Sequence, residues 1–420
     1  MGVALDAAYA LTLGPHYLYH RAVTGKYGPH APEKLGRLPA HLGPGGRPAL
    51  WVHGVSVGET LAARPLVGAF AGAHPHWAVR VSTTTATGRQ VACEHFGAES
   101  VFYYPLDFSW AVRRAFDTVR PAAVVLMELE VWPAFLSEAA RRGVPVVVAN
   151  VRITERSVRR LRAFGPLARR MLGRVAAWAA QDEGGAARLR AAGVDEERIR
   201  VVGSLKADGL DFDERPAEAD RLRADLGGGR LWVAGSTHPG EEEAVLAAFA
   251  ELRARFADLR LVLVPRHPER CDAVERRVPA DLSVWRRSRG PAPAGAPVVL
   301  VDTMGELAAL YRAAEVVFVG GTFDAAVGGH SMLEPAALGR PVVYGPEVHN
   351  WAGAARTLEQ ARGAVRLPEA DVHVLAGAVA VLLADPHASR AQGARAREAA
   401  RSLQGATDRT VALLEETISA

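Results

Sequence analysis

A glutamate stands where a strand pattern gives way to a helix. The run Trp51-Val52-His53-Gly54-Val55-Ser56-Val57-Gly58-Glu59 begins apolar, turns at glycine and serine, and places Glu59 in the first helical turn. A carboxylate at that junction can accept a proton from a hydroxyl nucleophile. The helix start would stabilise the anion and lower its pKa, giving a modest base, and the same placement also suits a glutamate that serves only the helix dipole. His53 either caps the turn beside Glu59 or takes part in the proton transfer. A second cluster lies at 316–344, VVFVGGTFDAAVGGHSMLEPAALGRPVVY. A β-branched run stops at Gly320-Gly321, a second pair Gly328-Gly329 leads into His330-Ser331, and a helix follows with Glu334 in its first turn. Glycines let a ligand approach the backbone, and free N–H groups at a helix start favour an anion. Glu334 can accept hydrogen bonds from two vicinal ribose hydroxyls. The segment therefore predicts a site for a nucleotide phosphate and its sugar, with a tight capped strand-to-helix turn as the plain alternative.

These residues need elements to hold them. Strands are expected at 50–53, 78–82, 101–104, 123–127, 144–149 and 178–180, with helices between, including one over 155–172. A second series restarts after Gly227-Gly228-Gly229, with strands at 231–234, 260–264, 298–301, 316–319 and 341–344 and a helix over 331–338. Alternating strands and helices imply α/β domains with parallel sheets. Two Rossmann-like doubly wound domains facing a central cleft make a GT-B architecture, with ligands beyond the carboxyl ends of the strands. The expected division is 1–46 as an N-terminal segment and linker, 47–204 and 205–385 as the two domains, and 386–420 as a C-terminal helix that crosses back to the first. Residues 24–48 and 286–297 read as irregular cover and as a mobile surface loop.

The 420 residues are too many for one ordinary core, and 49% hydrophobic with 23% charged fits folded domains. A net charge of +4, with no dense arginine run, gives no sign of a nucleic-acid groove. Cys93 and Cys271 fall in different domains, so no disulfide scaffold is expected. Only Lys26, Lys34 and Lys206 stand as lysines among 50 basic residues, which marks Lys206 as a position where arginine cannot substitute. Residues 1–23 are apolar but interrupted by Asp6 and Pro15, and predict an interfacial segment rather than a span.

Further motifs run in order along the chain. They are His53-x-x-Ser56-x-Gly58-Glu59, Thr83-Thr84-Thr85-x-Thr87-Gly88, Pro105-Leu106-Asp107, Glu128-x-Glu130-x-Trp132-Pro133, Asn150-x-Arg152 and Gly203-Ser204-Leu205-Lys206-x-Asp208. The second half adds Ala234-Gly235-Ser236-Thr237-His238 with Glu241-Glu242-Glu243, Pro265-Arg266-His267-Pro268, Asp302-Thr303-Met304-Gly305-Glu306 and Gly328-Gly329-His330 with Glu334. In this order they resemble the Kdo transferases, the family that adds 3-deoxy-D-manno-octulosonic acid to a lipid A precursor. Ser331 stands where that family usually has Asn.

The resemblance implies an inverting transfer of Kdo from CMP-Kdo to a lipid A precursor in lipopolysaccharide synthesis. The expected place is the cytoplasmic face of a bacterial inner membrane, held peripherally, with no metal, cofactor or nucleic acid. Glu59 would be the base. Arg266, His267, Lys206, His330 and the Gly329–Ser331 amides would meet the donor phosphate. Met304-Gly305-Glu306 would read the cytosine edge, and Glu334 would hold the ribose. His53, Ser56, Gly58, Thr85, Glu128, Glu130, Asn150 and Arg152 would shape the acceptor side or support it, with Glu128 and Glu130 either ordering Asn150 and Arg152 or touching the acceptor. Glu241–Glu243 read as first-turn helix carboxylates. A transferase for another nucleotide sugar and a non-catalytic nucleotide-binding regulator are the alternatives.

Overall fold

A computed structural model describes residues 6, 7, 9–11 and 30–419. The chain divides into two units, 1–209 with 404–420, and 210–403. The first holds a seven-stranded parallel sheet in the order β3-β2-β1-β4-β5-β6-β7. Its strands are β1 (Ala49–His53), β2 (Ala78–Thr83), β3 (Val101–Tyr103), β4 (Ala123–Met127), β5 (Val146–Val151), β6 (Ala177–Ala180) and β7 (Ile199–Val201). The second holds β8 (Arg230–Thr237), β9 (Leu259–Pro265), β10 (Val284–Arg286), β11 (Val298–Leu300), β12 (Val316–Val319), β13 (Val342–Tyr344) and β14 (Ala364–Arg366). Its order is β10-β11-β9-β8-β12-β13-β14, again all parallel. In each sheet the order reverses beside the first strand, at β1/β4 and at β8/β12. Such a reversal leaves a crevice at the carboxyl ends of the two strands, where ligands bind in doubly wound sheets.

Strand β1 shows how the sequence builds two cores from one strand. Side chains alternate across a strand. Leu50 and Val52 pack on one face with Leu66 and Phe70 of helix Val57–Ala73 and with Val411 and Leu414 of the last helix. Trp51 points the other way, into Phe102 (5.2 Å between ring centres), Phe116 (5.3 Å) and Phe135 (5.1 Å). Its indole N–H donates to the Ser82 hydroxyl at 2.8 Å. Both faces are covered, as a parallel sheet requires. The second unit repeats the arrangement around Trp232, Phe249 and Phe318.

Several expectations need correction. Strands β7, β10 and β14 carry no sequence prediction; each is three residues long and lies at or next to its sheet's edge. Residues 286–297 are not a loose loop at their start. Ser288 donates from both its N–H and its hydroxyl to Asp302, and Arg287 pairs with Glu306 at 2.9 Å. Residues 30–48 are pinned too: Arg80 donates to the carbonyls of His41, Leu42 and Gly43, and Glu33 accepts from the Tyr103 N–H. The helix expected over 155–172 breaks into Glu155–Ala163 and Gly165–Leu172, with Gly165 at φ +52° and Pro166 behind it. The last helix is two, Pro386–Ser402 and Ala406–Ser419, separated at Gly405 with φ +91°.

The division between units also differs from 204/205 and 385/386. Leu205 is buried in the first core and donates to Asn150. Asp208 accepts the N–H groups of Gly405 and Thr407, at the start of the final helix. Helix Pro386–Ser402 instead stays with the second unit, where Arg397 donates to the Phe212 carbonyl. Most of residues 1–23, including Leu5, Leu13, Tyr17, Leu18 and Tyr19, and Lys26, lie outside the described residues. Of the remainder, Asp6 accepts from the N–H and hydroxyl of Ser109, and Tyr9 sets its ring edge-on to Phe108 at 4.9 Å. Among the described residues no single helix is long and apolar enough to cross a membrane.

Trp51 joins four aromatic neighbours, Tyr104 at 6.2 Å being the fourth, and one polar partner. Trp51→Ala is expected to cost ~3–5 kcal/mol of stability by the lost contacts and the cavity, and Trp51→Phe clearly less. Urea unfolding followed by circular dichroism measures both; equal, small losses would mean that this core relaxes around the gap.

Candidate active site

In the first unit the residues at the β1/β4 reversal come together. Ser56 caps helix Val57–Ala73, its oxygen accepting from the Glu59 N–H at 3.3 Å. The Glu59 carboxylate reaches back, accepting from the Ser56 hydroxyl at 2.9 Å and the Val55 N–H at 2.9 Å. This is close to a capping box. It satisfies part of the carboxylate and fixes its rotamer. The Val55 carbonyl is held in turn by the hydroxyls of Thr83 (3.0 Å) and Thr85 (3.3 Å). Thr85 also caps the next helix by accepting from the Gly88 N–H. A side chain at Gly88 would stand 2.6 Å from the Thr83 hydroxyl, which is why glycine sits there. Gly58 is exposed in the first turn of the Glu59 helix.

Glu59 is half-buried, and burial together with the Glu128 charge pushes its pKa up. The Val55 N–H, the Ser56 hydroxyl and the Lys206 charge oppose that shift without cancelling it. The lowering expected from the helix start is therefore reversed. Desolvation and a like charge outweigh those hydrogen bonds and the Lys206 charge, and Glu59 becomes a better base than a free glutamate. Glu130 is raised for the same reasons, and its carboxylate accepts from the Trp132 indole at 2.9 Å. Lys206 belongs to the first unit, not with the donor residues of the second; its Nζ lies 3.3 Å from Glu128.

His53 is fully buried, and its ring stacks on Tyr104 with 3.7 Å between centres. Nδ1 contacts the Ser82 carbonyl and hydroxyl, and burial lowers the imidazole pKa to about 3. It is neutral at physiological pH and belongs to the support of the turn. Asn150 orders the Lys206 segment by accepting from the Leu205 N–H and the Ser204 hydroxyl. Arg152 follows, partly buried, just past β5. Asp107 caps helix Pro133–Arg141 through the N–H groups of Ala134 and Phe135.

In the second unit the β8/β12 reversal carries the other cluster. Its organiser is Glu241, buried at 1% exposure, which accepts four backbone N–H groups: His238, Gly321, Thr322 and Phe323. It bridges the ends of both strands at the reversal. The sequence reading assigned it only to a helix start; the usable signal was a first-turn carboxylate after β8 together with a glycine pair after β12. Gly320 is required there, since a side chain would meet the Ser236 carbonyl at 2.6 Å. His330 and His238 share a hydrogen bond between their Nε2 atoms at 2.8 Å, with rings nearly parallel. Burial, His238 and Arg266 lower His330 to about 4, so it offers a phosphate a neutral hydrogen bond at most.

Two further expectations change. The N–H groups of Gly329 and His330 are used by the carbonyls of Gly321 and Gly320, which leaves the Ser331 N–H of the three expected amides. The helix expected over 331–338 is only Leu333–Ala337, too short for a substantial dipole. Glu334 is exposed in its first turn; the protein around it raises its pKa, while a hydrogen bond from Ser331 and the Arg266 charge pull it down. Arg266 and His267 are exposed just past β9, with the His267 ring 6.1 Å from that of His238. Met304 is 76% exposed, beside Gly305 at φ +85°, and Glu306 is held by Thr303 and Arg287. The sequence also holds Asp211-Phe212-Asp213, a spacing known from metal sites, but Arg312 and Arg215 take up its carboxylates.

Two parallel seven-stranded units with their polar clusters at the sheet reversals define a GT-B architecture. A glycosyltransferase from Rickettsia africae shares the fold, with a TM-score of 0.64 at 11% identity over 89% of this chain and 99% of that one. So does a UDP-GlcNAc 2-epimerase from Neisseria meningitidis, with a TM-score of 0.58 at 13% identity over 88% and 99%. Residues 29–209 match the family model described as 3-Deoxy-D-manno-octulosonic-acid transferase (kdotransferase). The 3-deoxy-D-manno-octulosonic acid transferase of Bordetella pertussis is 36% identical over 94% of both chains. That of Haemophilus influenzae is 33% identical over 87% of this chain and 86% of its own. The chain belongs to the 3-deoxy-D-manno-octulosonic acid transferase family, and it is a glycosyltransferase.

The raised Glu59 pKa has a kinetic signature. A base must be deprotonated, so kcat/KM falls as pH drops through its pKa, and the acid limb should lie above the ordinary carboxylate value of about 4.3. Lys206→Met removes a charge that lowers the pKa and should move the limb to higher pH. Glu128→Gln removes one that raises it and should move the limb down. A pH–rate profile that stays put in both variants would assign the limb to another group.

Proposed function

We propose that this protein transfers Kdo from CMP-Kdo to a lipid A precursor, with inversion, at the cytoplasmic face of a bacterial inner membrane. The observation that carries the reading is the joint one. The chain matches transferases named for this sugar over about nine-tenths of its length, and Glu59 stands at the first sheet's reversal in surroundings that strengthen it as a base. Glu59 takes the proton of the acceptor hydroxyl as that oxygen attacks the anomeric carbon of the donor. CMP leaves from the opposite side, so one base suffices and no covalent intermediate forms. Arg266 supplies charge to the departing phosphate, with neutral His330 and the Ser331 N–H as hydrogen-bond donors. Glu334 holds the ribose hydroxyls. Met304, exposed beside Gly305, lies against the cytosine, with the backbone of that turn reading its edge.

Peripheral attachment to the membrane is part of the same reading. Phe164 and Leu167 are 66% and 58% exposed in the broken helix pair, among the exposed Arg156, Arg159, Arg160, Arg162, Arg169 and Arg170. Leu11 and Trp110 add exposed apolar surface on the same unit. Aromatic and apolar side chains reach the interface while arginines meet anionic headgroups, at about 1 kcal/mol each near the surface.

Mass spectrometry of the purified protein with CMP-Kdo and an acylated disaccharide should show the acceptor gaining Kdo with release of CMP. Glu59→Gln should reduce that turnover roughly 10²–10⁴-fold. No Kdo adduct on any acyl-disaccharide would reject the substrate assignment, and near-normal turnover in Glu59→Gln would place the base elsewhere.

Liposome co-sedimentation should weaken as salt rises, and removal of residues 1–23 should impair lipid acceptors more than a deacylated one. Salt-independent sedimentation, or equal effects on both acceptors, would contradict the peripheral attachment.

A further inference from the structure

The geometry points to a second anion site in the first unit, built to take a phosphate monoester on a small organic body. It goes beyond the transfer reaction and does not depend on it. Its origin is a step in the sheet. Strand β2 begins at Ala78, but β3 pairs with it only from Val81 onward. The start of β2 is therefore paired with β1 alone, and the missing length of β3 leaves a notch. Helix Val57–Ala73 and the end of helix Ala86–Phe96 flank a cavity there of about 370 Å³. That is within the ordinary range for small-molecule sites and larger than a bare phosphate needs.

Its lining combines Arg47, Arg64, Arg80 and His95 with the rings of Trp77 and Phe96. None of the three arginines forms an ion pair among the described residues. Arg80 is 9% exposed, and its guanidinium donates to the carbonyls of His41, Leu42, Gly43 and Val79. Those four bonds go to neutral carbonyls and leave the cation without a paired carboxylate. Burial and the neighbouring Arg47 charge both disfavour the Arg80 cation, with Glu99 as a partial counterweight. Two like charges held together over an apolar wall are relieved by an anion, and the forked guanidinium geometry of the exposed Arg47 and Arg64 suits phosphate. The Trp77 and Phe96 rings offer contact to the carbon body that carries it.

The site is separate from the Glu59 cluster. Arg64 and Gly68 follow Glu59 by five and nine residues on the same helix, which is about 8 and 13 Å along its axis. The notch opens at the amino end of β2, whereas Glu59 follows the carboxyl end of β1.

Calorimetry of the full chain with glycerol 3-phosphate tests this. Arg47 and Arg64 are exposed, so Arg47→Ala and Arg64→Ala should leave the ligand-free melting midpoint unchanged. Each should weaken binding about tenfold, and the double variant should abolish it. Competition by phosphatidic acid vesicles in the wild type would assign the phosphate to a lipid headgroup; no competition would assign it to a soluble phosphate. Absence of glycerol 3-phosphate binding in the wild type, or unchanged binding in the double variant, would overturn the proposal.

Discussion

The reversal of strand order in each parallel sheet is the constraint on which the rest depends. At β1/β4 and at β8/β12 the connections leave for opposite faces, so the carboxyl ends of those strands remain open. Glu59 and Glu128 follow the two strands of the first pair, and His238 and Gly320 follow those of the second. At these ends Glu128 and Ser236 take φ of 57° and 58°, a region that non-glycine residues rarely enter. Such strain persists only where the surroundings hold it, and it gathers at functional sites.

Each unit holds its reversal with polar bonds rather than with apolar packing alone. In the first, Thr83 and Thr85 fix the Val55 carbonyl, and the Val55 N–H fixes Glu59. In the second, Glu241 gathers four N–H groups from the ends of β8 and β12. Burial sets the chemistry. It pushes Glu59 towards a stronger base and keeps His53 and His330 neutral. In the proposed reaction the positive charge for the leaving phosphate comes from Arg266 of the second unit.

The long buried strands were legible in the sequence because a parallel strand covered on both faces is an uninterrupted apolar run, as in Ala123–Met127 and Val316–Val319. Strands β7, β10 and β14 were not, since Ile199–Val201, Val284–Arg286 and Ala364–Arg366 each carry an arginine and only three residues. Motif order led to Glu59, Glu128, Arg266 and Glu334 as residues. Their electrostatics stayed hidden, because a helix start is a local feature whereas the Glu128 charge and the desolvation at Glu59 are tertiary. The first-turn place of Glu241 was legible and holds, but its partners were not: three of its four donors lie about eighty residues away, in the loop after β12. The amides of Gly329 and His330 looked free because carbonyls of the same glycine loop take them up only once it is folded.

The central claim is a division of labour, with the base in the first unit and nucleotide recognition in the second. Calorimetric titration of CMP and of cytidine into the wild type, Glu59→Gln, Arg266→Ala and Glu334→Ala tests it most directly. The account predicts that Glu59→Gln binds both ligands as the wild type does, that Arg266→Ala loses affinity for CMP more than for cytidine, and that Glu334→Ala loses both. Unchanged CMP and cytidine affinities in Arg266→Ala and Glu334→Ala would contradict it.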